Sequence, residues 1–182
     1  LALAMAGAGP TLTAARLVNI AAGGLTVGLT YAVARRIATG RAALTAALVV
    51  ALYPTLLIYT SLVATESLVT VPVLATILAC SYGSLQARAA SGVMTAVATL
   101  VRPAGIALLP ATLAGAWLAR RTAGAVRPAW MVGAVVTIAG FALAMTPWWL
   151  HTARLHGRAV PLDTTGGINL LIGNVFREDA DE

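Results

Sequence analysis

The sequence predicts an all-α, polytopic membrane protein with about six transmembrane helices and an extracytoplasmic C-terminal loop. Three observations lead there. Of the 182 residues 59% are hydrophobic and only 10% charged, whereas soluble domains carry about 25% charged residues. Mean hydropathy is +0.88. The apolar residues fall in long runs rather than in alternation, and several runs approach the roughly 20 residues that a membrane-crossing helix needs.

The runs are taken in chain order. Leu17–Ala34 is the first, and it contains Asn19, a polar residue expected to bond another helix. Ala42–Tyr59 is the second. Its Tyr53, Pro54 and Tyr59 predict a kinked helix with phenols near the interface. Ser67–Ser84 is the third and Ala129–Leu150 the last. Between them Ala89–Ala119 is interrupted by Arg102-Pro103. Proline removes a backbone donor and turns the preceding residue away from helix, so a turn is expected there. The pair Ala89–Val101 and Ala104–Ala119 then forms two short spans. Residues 1–150 make a helical core, and 151–182 make a polar extracytoplasmic segment.

Arginine placement sets the topology. All 12 basic residues are Arg. Arg35, Arg36 and Arg41, then Arg88, then Arg120, Arg121 and Arg127 occupy three loops that share the cytoplasmic side under the positive-inside rule. Arg88 and Arg120 share a side only if the chain crosses twice between them. The opposite face then gathers Glu66, Arg102 and the tail from His151 to Glu182. The composition, rich in Ala, Gly, Val and Leu, points to a GC-rich bacterial genome, and the expected location is the bacterial plasma membrane. The start, LALAMAGAGP, has no initiator Met and no basic leader, and it reads as the interior of a longer protein.

Glu66 is the only carboxylate among the first 162 residues. It has two compatible readings: an acid in the first turn of a helix, favoured by the helix dipole, and an intramembrane ionisable group marking a site. Arg102, in V-R-P-A-G, is either an interfacial anchor or an anion clamp held rigid by the following Pro, with Gly105 permitting close backbone approach. Arg154 and Arg158 lie in a basic stretch after Pro-Trp-Trp that suits lipid headgroups. Asn169 and Asn174 lie in a Gly-rich run, where they hold a ligand or shape the loop.

Several functions are disfavoured. Cys80 is alone, and His151 and His156 have no third ligand, so no metal set is expected. The Gly-rich run lacks phosphate-loop spacing, so nucleotide binding is unsupported. The formal charge of +6 reports topology, and no nucleic-acid partner is expected.

The colinear set A-A-R-L-V-N (14–19), A-R-R (34–36), G-R-A-A-L (40–44), A-L-Y-P (51–54), T-E-S-L around Glu66, Gly92 to Arg102-Pro103, and T-G-G-I-N-L-L-I-G-N (165–174) resembles the GT-C superfamily of membrane glycosyltransferases. Within it the match is to family 39, the protein mannosyltransferase and aminoarabinose transferase group. That resemblance implies transfer of a sugar from a polyprenyl-phosphate carrier to an acceptor hydroxyl on protein, lipid or glycan, outside the cytoplasm. It implies no cofactor beyond the lipid-linked donor. It also implies a catalytic carboxylate in the first extracytoplasmic loop, which has no counterpart in this sequence, and Asp163 does not match its position. Arg102 is then the first candidate for the donor phosphate, with Arg154 and Arg158 second. Glu66 organises the site, paired with an arginine or holding an acceptor or a loop. A transporter or permease subunit is the alternative. It predicts an inverted repeat with paired helix breaks, and the Arg102-Pro103 break has no twin near Leu17–Tyr59. A non-catalytic membrane scaffold is the third reading.

Overall fold

A computed structural model describes residues 12–61, 65–123, 127–157 and 162. Among them are seven α-helices and no strand: α1 (Leu12–Ile37), α2 (Gly40–Ala51), α3 (Pro54–Ser61), α4 (Thr65–Cys80), α5 (Leu85–Val101), α6 (Leu108–Ala123) and α7 (Arg127–His156). A 3-10 turn, Pro103–Ala107, joins α5 to α6. The all-α class expected from the sequence is what the chain forms. Helices α1 and α7 are long and apolar enough to cross a membrane, and α2, α4 and α5 are shorter apolar helices.

The packing is inverted relative to a soluble protein. Large apolar side chains face outward, among them Leu17, Ile20, Leu44, Leu48, Val135 and Leu143, while Ala15, Ala43, Ala47, Ala96, Thr26, Thr76, Ser91 and Thr95 are buried. Lipid is as apolar as leucine, so helices in a membrane associate through small residues that allow close approach. A buried hydroxyl is costly to leave unsatisfied where no water reaches it. Thr26, Thr76, Thr95 and Thr99 avoid this by donating to the carbonyl four residues back, at 2.8–2.9 Å. Asn19, expected to engage a neighbour, is 2% exposed.

Two compact units divide the chain at Ala144/Met145. In the first, α1 packs on α2, α3 and α4, and α4 on α5. Helix α5 meets α7 backbone to backbone: a Cβ at Gly92 would overlap the Thr137 carbonyl oxygen, and one at Gly140 would come within 2.6 Å of the Ala89 carbonyl oxygen. In the second unit α7 continues through Pro147 to His156 and stops at Gly157, whose φ of 65° is left-handed. Glycine adopts that conformation without strain and so terminates helices.

Three expectations are corrected in detail. Ala42–Tyr59 is two helices rather than one kinked helix. α2 ends at Ala51, and α3 restarts at Pro54, with the Leu56 and Leu57 amides bonding back to the Tyr53 carbonyl. Proline at the first helical position costs no bond there, and it cannot continue the preceding helix. The third run ends at Cys80 rather than Ser84, because Ser84 is already the N-cap of α5 and accepts from the Ala87 amide. Helix α7 runs past Leu150 and takes in the first six residues assigned to the polar tail.

Candidate functional site: an ion pair at one end of the α4–α5 hairpin

The site grows out of one local rule. Arg102 precedes Pro103 and therefore takes an extended conformation (φ −149°, ψ 121°), while its amide still closes the last turn of α5 on the Ala98 carbonyl at 2.8 Å. The chain reverses immediately. The Gly105 amide bonds the Arg102 carbonyl at 2.8 Å, and a Cβ at Gly105 would lie 2.5 Å from the Ala98 carbonyl carbon. Glycine at 105 is needed for this turn to fold back on α5. The close backbone approach foreseen at Gly105 is thus made by the protein to itself.

Glu66 reaches the same place from the other side. Helix α4 starts at Thr65, so Glu66 stands in its first turn, where the dipole favours a carboxylate. Its Oε1 accepts a hydrogen bond from Arg102 Nη1 at 3.0 Å, the one salt bridge among the described residues. The Arg102 side chain is 51% exposed and that of Glu66 37%. Ion pairs this open contribute about 0–1 kcal/mol, so the contact costs little to rearrange. One nitrogen carries the pair. The other guanidinium donors have no partner among the described residues, and the side chain faces an open cavity of about 480 Å³ lined by Val69, Val73, Gly105 and Leu108.

The sequence-predicted residues therefore divide. Arg102 and Glu66 are brought together. Arg154 is exposed on α7 in the second compact unit. Arg158, Asn169, Asn174 and Asp163 lie outside the described residues, as do residues 62–64 just before α4. Two features escaped sequence reading. Ser67 is 3% exposed, its Oγ has no hydrogen-bond partner among the described residues, and it lines an apolar groove of about 290 Å³ with Gly23 and Gly24 of α1. The adjacent hydroxyl in T-E-S-L was the only available signal. At the opposite end of the hairpin Arg36 Nε and Nη2 donate to Ser81 Oγ and O at 3.1 and 2.9 Å, with the guanidinium 4.2 Å from the Tyr82 ring centroid. The sequence uses Arg36 for topology and for the A-R-R motif, and it does not signal this clamp.

Small-residue interfaces under an apolar exterior, and a charge pair kept to one helix end, define an α-helical membrane protein with a polar site at the rim of its bundle. The chain belongs to the dolichyl-phosphate-mannose-protein mannosyltransferase family, whose model matches residues 1–151, and is a membrane glycosyltransferase of the mannosyltransferase type. No curated protein and no solved structure matches it.

Proposed function

We propose that the Glu66–Arg102 end holds the phosphate of a polyprenyl-phosphate sugar on the extracytoplasmic side of a multi-pass bundle, during transfer of the sugar to an acceptor hydroxyl. In that reaction the acceptor oxygen forms a bond to the anomeric carbon while the carbon–oxygen bond to the lipid phosphate breaks. The phosphate leaves with the electron pair, and its new negative charge needs a positioned cation. Arg102 meets that need: it is fixed in the backbone by Pro103, half exposed, and tied through a single nitrogen. A guanidinium pairs with phosphate bidentately, in a geometry an ammonium lacks. Glu66 keeps the side chain extended toward the cavity before the donor arrives and balances its charge. Arg154 and Arg158 remain second candidates for the phosphate, and Asn169 and Asn174 for sugar hydroxyls or loop shape. None of this chain's residues is assigned as the base that takes the acceptor proton.

The carrying observation is the 3.0 Å Arg102–Glu66 contact beside an open cavity. The test is Arg102→Ala in the membrane-inserted protein, with binding of polyprenyl-phosphate sugar as readout. Binding should fall by about ten- to a hundredfold, the size of a lost charge-assisted hydrogen bond to phosphate, while insertion is retained. Undiminished binding would remove the phosphate role. The side is tested by cysteine labelling: probes at Thr60 and at the exposed Gln86 should report opposite faces of the membrane, and labelling from one face would dismantle the topology.

A further inference from the structure

The opposite end of the same hairpin carries a second cation that the transfer reaction does not use. Arg88, in the first turn of α5, is half-buried and has neither a salt bridge nor a side-chain hydrogen bond among the described residues. Its aliphatic stem lies against Gly133 of α7, where a Cβ would come 3.6–3.7 Å from Nε, Cδ and Cγ. Its placement is electrostatically unfavourable, because the N-terminus of a helix is already the positive end of its dipole. α5 has no acidic residue in its first turn, and the only carboxylate among the described residues, Glu66, is engaged at the far end of α4. Cation and dipole together call for an anion.

The space in front of Arg88 says which kind. It lines a groove of about 390 Å³ between α4 and α6 whose other walls are mainly apolar or small: Thr76 and Ile77 on α4, Leu108, Thr112 and Gly115 on α6. The hydroxyls of Thr76, Thr112 and Ser81, which also lines the groove with Cys80, donate to backbone carbonyls, so Arg88 is the charged recognition element. From Leu108 to Gly115 the groove follows α6 for about 10 Å at the usual helical rise. A cation at one end of an apolar furrow on the outer surface of a membrane bundle matches a phosphodiester with a hydrocarbon chain attached.

We propose that the α4–α6 groove is a binding site for an anionic membrane phospholipid, with the phosphodiester on Arg88 and one acyl chain along Ile77 and Gly115. Its cation lies at the opposite end of α5 from Arg102, although the two cavities adjoin at Leu108.

The test uses the whole chain in nanodiscs of phosphatidylcholine with and without phosphatidylglycerol, and native mass spectrometry to count retained lipid. Phosphatidylglycerol should be retained preferentially, and Arg88→Ala should weaken it about tenfold, the size of a lost charge-assisted hydrogen bond. Arg41→Ala removes an exposed arginine from the same end of the bundle and should change retention by less than about twofold on surface-pair magnitudes. Gly115→Leu keeps Arg88 but fills the furrow. A Cβ at 115 meets nothing within 4 Å, so the added side chain enters open groove, and at an unchanged helical CD signal this variant should lose the lipid as Arg88→Ala does. Equal losses for Arg41→Ala and Arg88→Ala would reduce the effect to general surface charge and overturn the site. Unchanged retention by Gly115→Leu would overturn the chain placement. Equal thermal stabilisation by inorganic phosphate in pure phosphatidylcholine would overturn the lipid as occupant.

Discussion

The two ends of α4 are both tied by an arginine from a distant part of the chain, in opposite ways. At its N-terminus Glu66 meets the positive end of the dipole and pairs with Arg102 through one nitrogen, on an exposed rim. At its C-terminus Arg36 meets the negative end, spends two nitrogens on Ser81, and lies against the Tyr82 ring. Both placements follow the helix dipole, so electrostatics alone does not separate them. The spare bonding capacity does. Arg36 is fastened to neutral acceptors of a turn and works as a clamp, whereas Arg102 keeps donors toward a cavity and can take a ligand. On the proposed reading, an arginine that closes a fold and one that binds a phosphate differ in what they leave unused.

This contrast can be broken experimentally. The largest effect is expected from Arg102→Ala, which should cut binding of the lipid-linked donor about ten- to a hundredfold with a stability change under about 1 kcal/mol, the scale of an exposed ion pair. A large loss of stability with donor binding intact would make Arg102 a clamp like Arg36. Gly105→Val comes next. Its side chain would collide with Ala98, and forcing apart a close backbone contact costs about 1–3 kcal/mol. Donor binding should fall with it, since Arg102 moves with the turn, and a variant of unchanged melting temperature would refute the tight turn. Arg36→Ala should cost about 1–2 kcal/mol through two lost hydrogen bonds, measured by thermal unfolding in detergent, and leave donor binding per folded molecule unchanged. Reduced binding at equal folded fraction would mean that the two ends communicate. Tyr82→Leu is the smallest, about 0.5–1 kcal/mol for an exposed cation–π contact. It should be fully non-additive with Arg36→Ala, because neighbours sharing one contact couple; additive losses would show that ring and guanidinium act separately.

Much of the fold was legible in the sequence. The apolar runs place α1, α4, α5 and α7 to within a few residues, and Arg102-Pro103 marks the reversal between α5 and α6. The break at Leu52-Tyr53 was read as a kink, because a proline signals only that the helix cannot continue as it was, not how far its two halves separate. The Glu66–Arg102 pair was half legible. A lone carboxylate calls for a partner, but twelve arginines offered themselves, and spacing along the chain cannot choose between residues 36 apart.

By itself the sequence determined the solvent, the helical class and the positions where helices must begin or stop. Those follow from side-chain hydropathy and from the covalent limits of proline and glycine, which act within one turn. Which small residues touch across helices, which arginine finds Glu66, and that Arg36 closes on Ser81 while Arg88 is left facing an apolar furrow were decided only by tertiary structure. Helices packed through alanine, serine and glycine have many near-equivalent ways to meet, and contacts such as Gly92 on Thr137 and Gly105 on Ala98 select one of them. Only after that selection do charges far apart in the chain acquire neighbours.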